Sequence, residues 1–156
     1  MNLSNSTFGD IELQGSMFGL SAQTIDYLDL SNSTVMSDNF GGPVSARTVN
    51  FTNTTFPELT SLSVAFYGNA ETVYLNNMKA PKLTNMETAF AGQSTKAVYM
   101  NGIQVPNVRT LKNCFSGCSN LETIDGLEDL DTSNVTTMYY MFANCNKMTD
   151  FSSMNN

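Results

Sequence analysis

The chain has 156 residues, a formal net charge of -7 and a pI near 4.2, with seven Lys and Arg against fourteen Asp and Glu. It contains no histidine, which removes the commonest general base near neutral pH and the commonest metal ligand and rules out a Ser-His-Asp or Cys-His arrangement within the chain. The basic residues are spread singly, so nucleic acid is not expected as a partner, and no apolar run is long enough to cross a bilayer, so membrane insertion is not expected either.

Taken in chain order, the opening "MNLSNST" aligns with "LDLSNST" at 28–34, which places the first residues inside a strand. Strict alternations rich in Val, Ile, Tyr and Phe then recur as "YLDLS" from Tyr27, "TVNFT" from Thr48, "TVYLN" from Thr72, "AVYMN" from Ala97 and "TIDGL" from Thr123. Each reads as a short half-buried strand closed by Asn, Ser or Gly. Between them lies a second phrase, seen in "LTSLSVAFYG", "LTNMETAFAG", "VRTLKNCFSG" and "VTTMYYMFAN", with looser versions ending at Phe18 and Phe40. The anchors Phe18, Phe40, Phe66, Phe90, Phe115 and Phe142 are separated by 22, 26, 24, 25 and 27 residues. A period of this size marks a repeat architecture.

Within the phrase, apolar residues four apart (Met86 and Phe90, Leu111 and Phe115, Met138 and Phe142) predict a single helical turn packing inward. One strand, one loop and one helical turn then make one coil. The expected class is α/β: a solenoid of about six coils, one domain over 1–156, degenerate in 1–50 and clear in 51–156. A further strand is expected to begin at Phe151, so one or both ends are predicted to be covered by further sequence, another subunit or an end-to-end copy, since an open coil leaves unpaired backbone.

"LDTSNVTTMYYMFANCNKMT" (130–149) and "LKNCFSGCSNLETI" (111–124) resemble the BspA-like leucine-rich repeats of bacterial surface proteins, in which a "DTSNVTxMxxMFxxC" phrase recurs. The resemblance implies a right-handed leucine-rich-repeat-type solenoid, carried on secreted or wall-attached proteins that adhere to host molecules or other cells. Gly41, Gly42 and Pro43 depart from that pattern in the early coils.

Little else in the chain points to chemistry. Cys118 and Cys145 each follow an anchor Phe by three residues, and Cys114 occupies the slot of Ala65, Ala89 and Met141. Repeat equivalence predicts buried thiols; no fourth ligand supports zinc, and a Cys118–Cys145 disulfide is the lesser alternative that strand spacing permits. The acidic run "DGLEDLDTSN" (125–134) lacks the Gly and Glu of a calcium loop, with Asn134 and Tyr140 at those places counted from Asp129, and reads as a solvated loop. Nothing fixes a carboxylate pair for glycoside hydrolysis. The sequons at Asn2, Asn5, Asn32, Asn50, Asn53 and Asn134 carry little weight in so Asn-, Ser- and Thr-rich a chain, where Asn and Ser serve turns. No enzyme activity, cofactor or metal is expected.

Alternation puts Val49, Phe51, Val73, Leu75, Val98 and Met100 inward. Asp29, Asn50, Tyr74, Tyr99 and Asp125 then form an outward row flanked by Ser31, Thr52, Asn76 and Asn101. Paired tyrosines among acid and amide groups suit a recognition surface; the plainer alternative is that Tyr is a favourable cross-strand residue on a solvated sheet. The function expected is therefore a non-enzymatic adhesion module outside a cell, recognising a protein or glycan. A virion component, such as a phage tail or decoration protein, is the alternative that a start without a charged and apolar leader favours.

Overall fold

A computed structural model describes residues 2, 4–5, 7–8, 25–31, 34–35, 46–68 and 70–148. Its strands are β1 (Thr7–Phe8), β2 (Ile25–Asp29), β3 (Thr34–Val35), β4 (Ala46–Asn50), β5 (Thr72–Tyr74), β6 (Ala97–Tyr99) and β7 (Thr123–Asp125). Five of them form one parallel sheet in the order β2-β4-β5-β6-β7, and β1 pairs with β3 in a separate two-stranded ladder. The register follows the repeat: Thr48, Thr72, Ala97 and Thr123 are successive partners, as are Val49, Val73, Val98 and Ile124. Asn2 bridges Asp29 in parallel, which agrees with the alignment of the opening stretch on 28–34.

Two further parallel ladders link the repeats. Thr55, Lys79 and Gln104 are bridged in turn, and so are Ser61, Asn85, Thr110 and Thr137. The strands β4, β5 and β6 are each followed by a tight turn in which the N–H of Thr54, Met78 or Ile103 donates to the carbonyl of Phe51, Leu75 or Met100. Its third residue is left-handed, with φ of 57° at Asn53, 54° at Asn77 and 67° at Gly102. Asn and Gly tolerate that conformation best, which is why the strand ends carry them.

The expected helical turn does not form. The one helical element among the described residues is a 3-10 turn at Leu127–Asp129, so the described residues form a parallel β structure rather than an α/β one. The cause lies in where the amides of the Phe phrase go. The N–H groups of Met86, Thr88, Phe90 and Gly92 donate to the carbonyls of Thr110, Lys112, Cys114 and Ser116 in the next repeat, while those of Ala89 and Ala91 donate three residues back to Met86 and Thr88. Leu111, Asn113, Phe115 and Gly117 repeat the pattern one layer on. A helix needs every amide for its own i−4 carbonyl, and here alternate amides belong to the neighbour. The four-residue apolar spacing instead arises from consecutive turns with a left-handed residue at Val64, Thr88, Asn113 and Tyr140.

Three of the anchors are buried as expected, and Phe142 is partly buried. Phe66, Phe90 and Phe115 are at most 1 % exposed. Their rings stack at centroid distances of 5.0 and 4.8 Å, and Phe142 continues the column at 5.3 Å. Burial of each ring contributes roughly 1.5–3 kcal/mol, and stacking about 0.5–1.5 more. Phe18, Phe40 and the expected strand at Phe151 lie outside the described residues.

The thiols also sit where repeat equivalence placed them. All three cysteines are free and buried, so the disulfide alternative does not occur. Cys118 Sγ donates to the Phe90 carbonyl at 3.0 Å, and Cys145 Sγ to the Phe115 carbonyl at 3.1 Å, the same bond one repeat on.

Candidate functional site

The outward row exists as a continuous register. Asp29 pairs with Asn50, Asn50 with Tyr74, Tyr74 with Tyr99 and Tyr99 with Asp125. The inward partners Val49, Phe51, Val73, Leu75, Val98 and Met100 are all fully buried, so the alternation holds through the middle strands. A parallel ladder spaces successive strands by about 4.8 Å, and the rings of Tyr74 and Tyr99 answer that spacing with a centroid distance of 4.9 Å and planes 9° apart. Both tyrosines are half-buried, and Asn101 and Asp125 are exposed.

Amide side chains stiffen the row from one side. Asn50 Oδ1 accepts from the Thr52 amide at 3.0 Å, and Asn76 Oδ1 accepts from the Asn101 amide at 3.0 Å. Asn101 Nδ2 in turn donates to Asp125 Oδ2 at 2.9 Å. These bonds hold Asn76, Asn101 and Asp125 in place next to the tyrosine pair.

Asp29 differs from the expectation. It occupies its register position but is only 8 % exposed, because its Oδ1 accepts from the Ser31 amide at 2.9 Å and from Asn50 Nδ2 at 3.2 Å. The carboxylate serves the turn after β2 and orients Asn50. The surface available to a partner therefore comprises Asn50, Tyr74, Asn76, Tyr99, Asn101 and Asp125.

Charge on the flanks is balanced in a way the single spread of lysines conceals. Lys96 pairs with Glu71 at 2.7 Å, Lys112 with Glu87 at 2.9 Å and Lys147 with Glu122 at 2.8 Å, and Lys82 pairs with Glu58. Every pair joins adjacent repeats. Glu71, Lys96, Glu122 and Lys147 thus alternate in sign along the stack, and the lysine beside each holds the Glu71 and Glu122 carboxyls below their ordinary value. The signal was present as charged residues one period apart.

Other outward features were not anticipated. Tyr67, Tyr139 and Tyr140 are exposed at 47, 61 and 60 %, on the outer side of the Phe-phrase turns. A cavity of about 660 Å³ lies at the same corner, lined among others by Tyr67, Thr88, Asn113, Ser116 and Gly117. Its lining holds no carboxylate, thiol or ammonium group, so it offers no acid-base pair. No cluster of three or more Cys, Asp or Glu suited to a metal occurs among the described residues. No described helix is long and apolar enough to cross a membrane.

Residues 60–156 match the family DUF285, described as a Mycoplasma protein of unknown function. No curated protein and no solved structure matches the chain.

Proposed function

We propose that this chain, which belongs to the DUF285 family, is a non-enzymatic recognition module displayed outside a cell, binding a protein or glycan through the face that carries Tyr74 and Tyr99. The three parallel ladders are read as the sides of a right-handed solenoid of the leucine-rich-repeat type, with BspA-like repeats. That reading is supported by a register advancing one period per strand and by the stacked anchor phenylalanines.

The observation that carries the functional reading is the tyrosine pair, stacked at 4.9 Å and braced by Asn76, Asn101 and Asp125. Tyrosine supplies contact area and hydrogen bonding at low entropic cost, and a pair already held in one geometry has less ordering left to lose on binding. A virion role would use the same face.

Incubating the full chain with an array of extracellular-matrix proteins and cell-surface glycans, beside a Tyr74→Ser/Tyr99→Ser variant, tests the proposal. Saturable capture that the double variant loses supports it. Equal capture of both proteins, or none of either, counts against it.

A further inference from the structure

The two tyrosines use one ring face on each other and leave the opposite face of each ring directed along the row. For Tyr74 the neighbour on that side is Asn50, a neutral amide; for Tyr99 it is Asp125, a carboxylate. An aspartate is far shorter than a tyrosine, so the outer part of the Tyr99 ring rises above the carboxylate beside it. The face of an aromatic ring is electron-rich and attracts a cation within about 6 Å of its centroid. A ring face and a carboxylate at one strand spacing therefore converge on the same point with the same sign.

No described lysine or arginine forms an ion pair with Asp125. The side chain of Asp125 is exposed, and its one side-chain partner there is Asn101 Nδ2, on Oδ2. Lys96, next to β6, is engaged by Glu71, and Lys147 by Glu122. The net charge of -7 adds a long-range field of the same sign, which favours a cationic partner and speeds its approach.

Resting on the reading of this face as a recognition surface, we infer that Tyr99 and Asp125 seat an arginine side chain from a basic segment of a partner protein, with Tyr74 extending the contact. Arginine fits better than lysine because its planar guanidinium stacks on a ring while its N–H groups donate to the carboxylate edge. The class of ligand is thereby narrowed from protein or glycan to a basic polypeptide.

The test titrates the full chain with the peptide acetyl-Gly-Arg-Gly-Arg-Gly-amide, with the same peptide carrying neutral citrulline for arginine, and with maltoheptaose, and follows backbone amide shifts by NMR. Expected are saturable shifts centred on residues 74, 99, 101 and 125 with the arginine peptide, and about tenfold weaker binding of the citrulline peptide. Asp125→Asn and Tyr99→Leu should each weaken the arginine peptide by about fivefold. Asp131→Asn, which removes the same charge from an exposed site beyond the face, should change it by less than about twofold. Equal losses in Asp125→Asn and Asp131→Asn would reduce the effect to diffuse attraction and overturn the inference. So would an absence of shifts at these residues. If maltoheptaose shifts residues 74 and 99 and Asp125→Asn leaves that unchanged, the arginine assignment falls while the recognition face stands. Array capture lost with both tyrosines but unresponsive to the arginine peptide separates the two in the same way.

Discussion

Phe90 and Phe115 lie face to face, centroids 4.8 Å apart and planes 3° apart, although 25 residues separate them in the chain. The stack joins adjacent repeats through their interior, and neither ring has more than 1 % of its surface exposed. Removing either ring leaves a cavity that flanking backbone, tied to its neighbours by the ladders, cannot collapse to fill. Phe90→Ala and Phe115→Ala are each expected to cost about 3–5 kcal/mol in denaturant unfolding. A loss below about 1 kcal/mol would mean that the column does not hold the repeats together.

Glycine 126 makes a second, sharper case. It has φ of 80°, and a Cβ there would come within 2.4 Å of the Asn101 amide nitrogen and 2.7 Å of the Met100 carbonyl carbon. Gly68 has a similar φ of 75° but open space around it. Gly68→Ala should cost only the left-handed penalty of about 1–2 kcal/mol, whereas Gly126→Ala must also push β7 off β6 and should cost more. Thermal melts of the two variants give the ranking, and the reverse order would show that β7 packs less closely on β6.

The cross-repeat ion pairs predict an acid response. The Lys96 ammonium beside Glu71 and the Lys147 ammonium beside Glu122 hold both carboxyls below the ordinary value of 4.5. A depressed folded-state pKa contributes stability that is complete above the unfolded value and is lost as pH falls through the folded one. Melting temperature should therefore decline below about pH 4.5, and less steeply in Glu71→Gln/Glu122→Gln. Both carboxyls are exposed, so the difference is small; parallel curves for the two proteins would remove these pairs from the acid response.

Burial pushes the Cys118 thiol up to about 12 and raises Cys114 and Cys145 as well. Only the thiolate reacts readily, so Ellman's reagent at pH 8 should label none of the three in the folded chain over minutes and all three in denaturant. Cys145, 9 % exposed against 0 % for the others, should be the first to react in mild denaturant. Rapid labelling of Cys114 without denaturant would contradict the packing described.

The repeat, the inward residues and the outward row were legible because period and alternation each map directly onto stacking: Val49, Val73 and Val98 face inward for the same reason that Tyr74 and Tyr99 face outward. The helical turn was misread because Met86 and Phe90 show a spacing that a helix and a pair of turns share, and only the destination of the Thr88 and Phe90 amides separates the two. Asp29 was misplaced because its burial depends on Ser31 and Asn50 closing over the carboxylate, a local hydrogen-bonding choice that alternation does not encode. The Lys96–Glu71 pair was readable in principle, since its separation of 25 residues is the repeat itself, yet it emerges only when residues are compared across layers rather than along the chain.

Tyr74→Ser/Tyr99→Ser, measured for melting temperature and for saturable binding to cultured host cells on the same preparation, asks most directly whether this face exists for recognition or for stability. Expected is a fall of no more than a few degrees, since the lost stack is worth only about 0.5–1.5 kcal/mol, together with a loss of binding of more than about tenfold. A fall of many degrees, or binding equal to that of the unaltered chain, would contradict a recognition role for the tyrosine row.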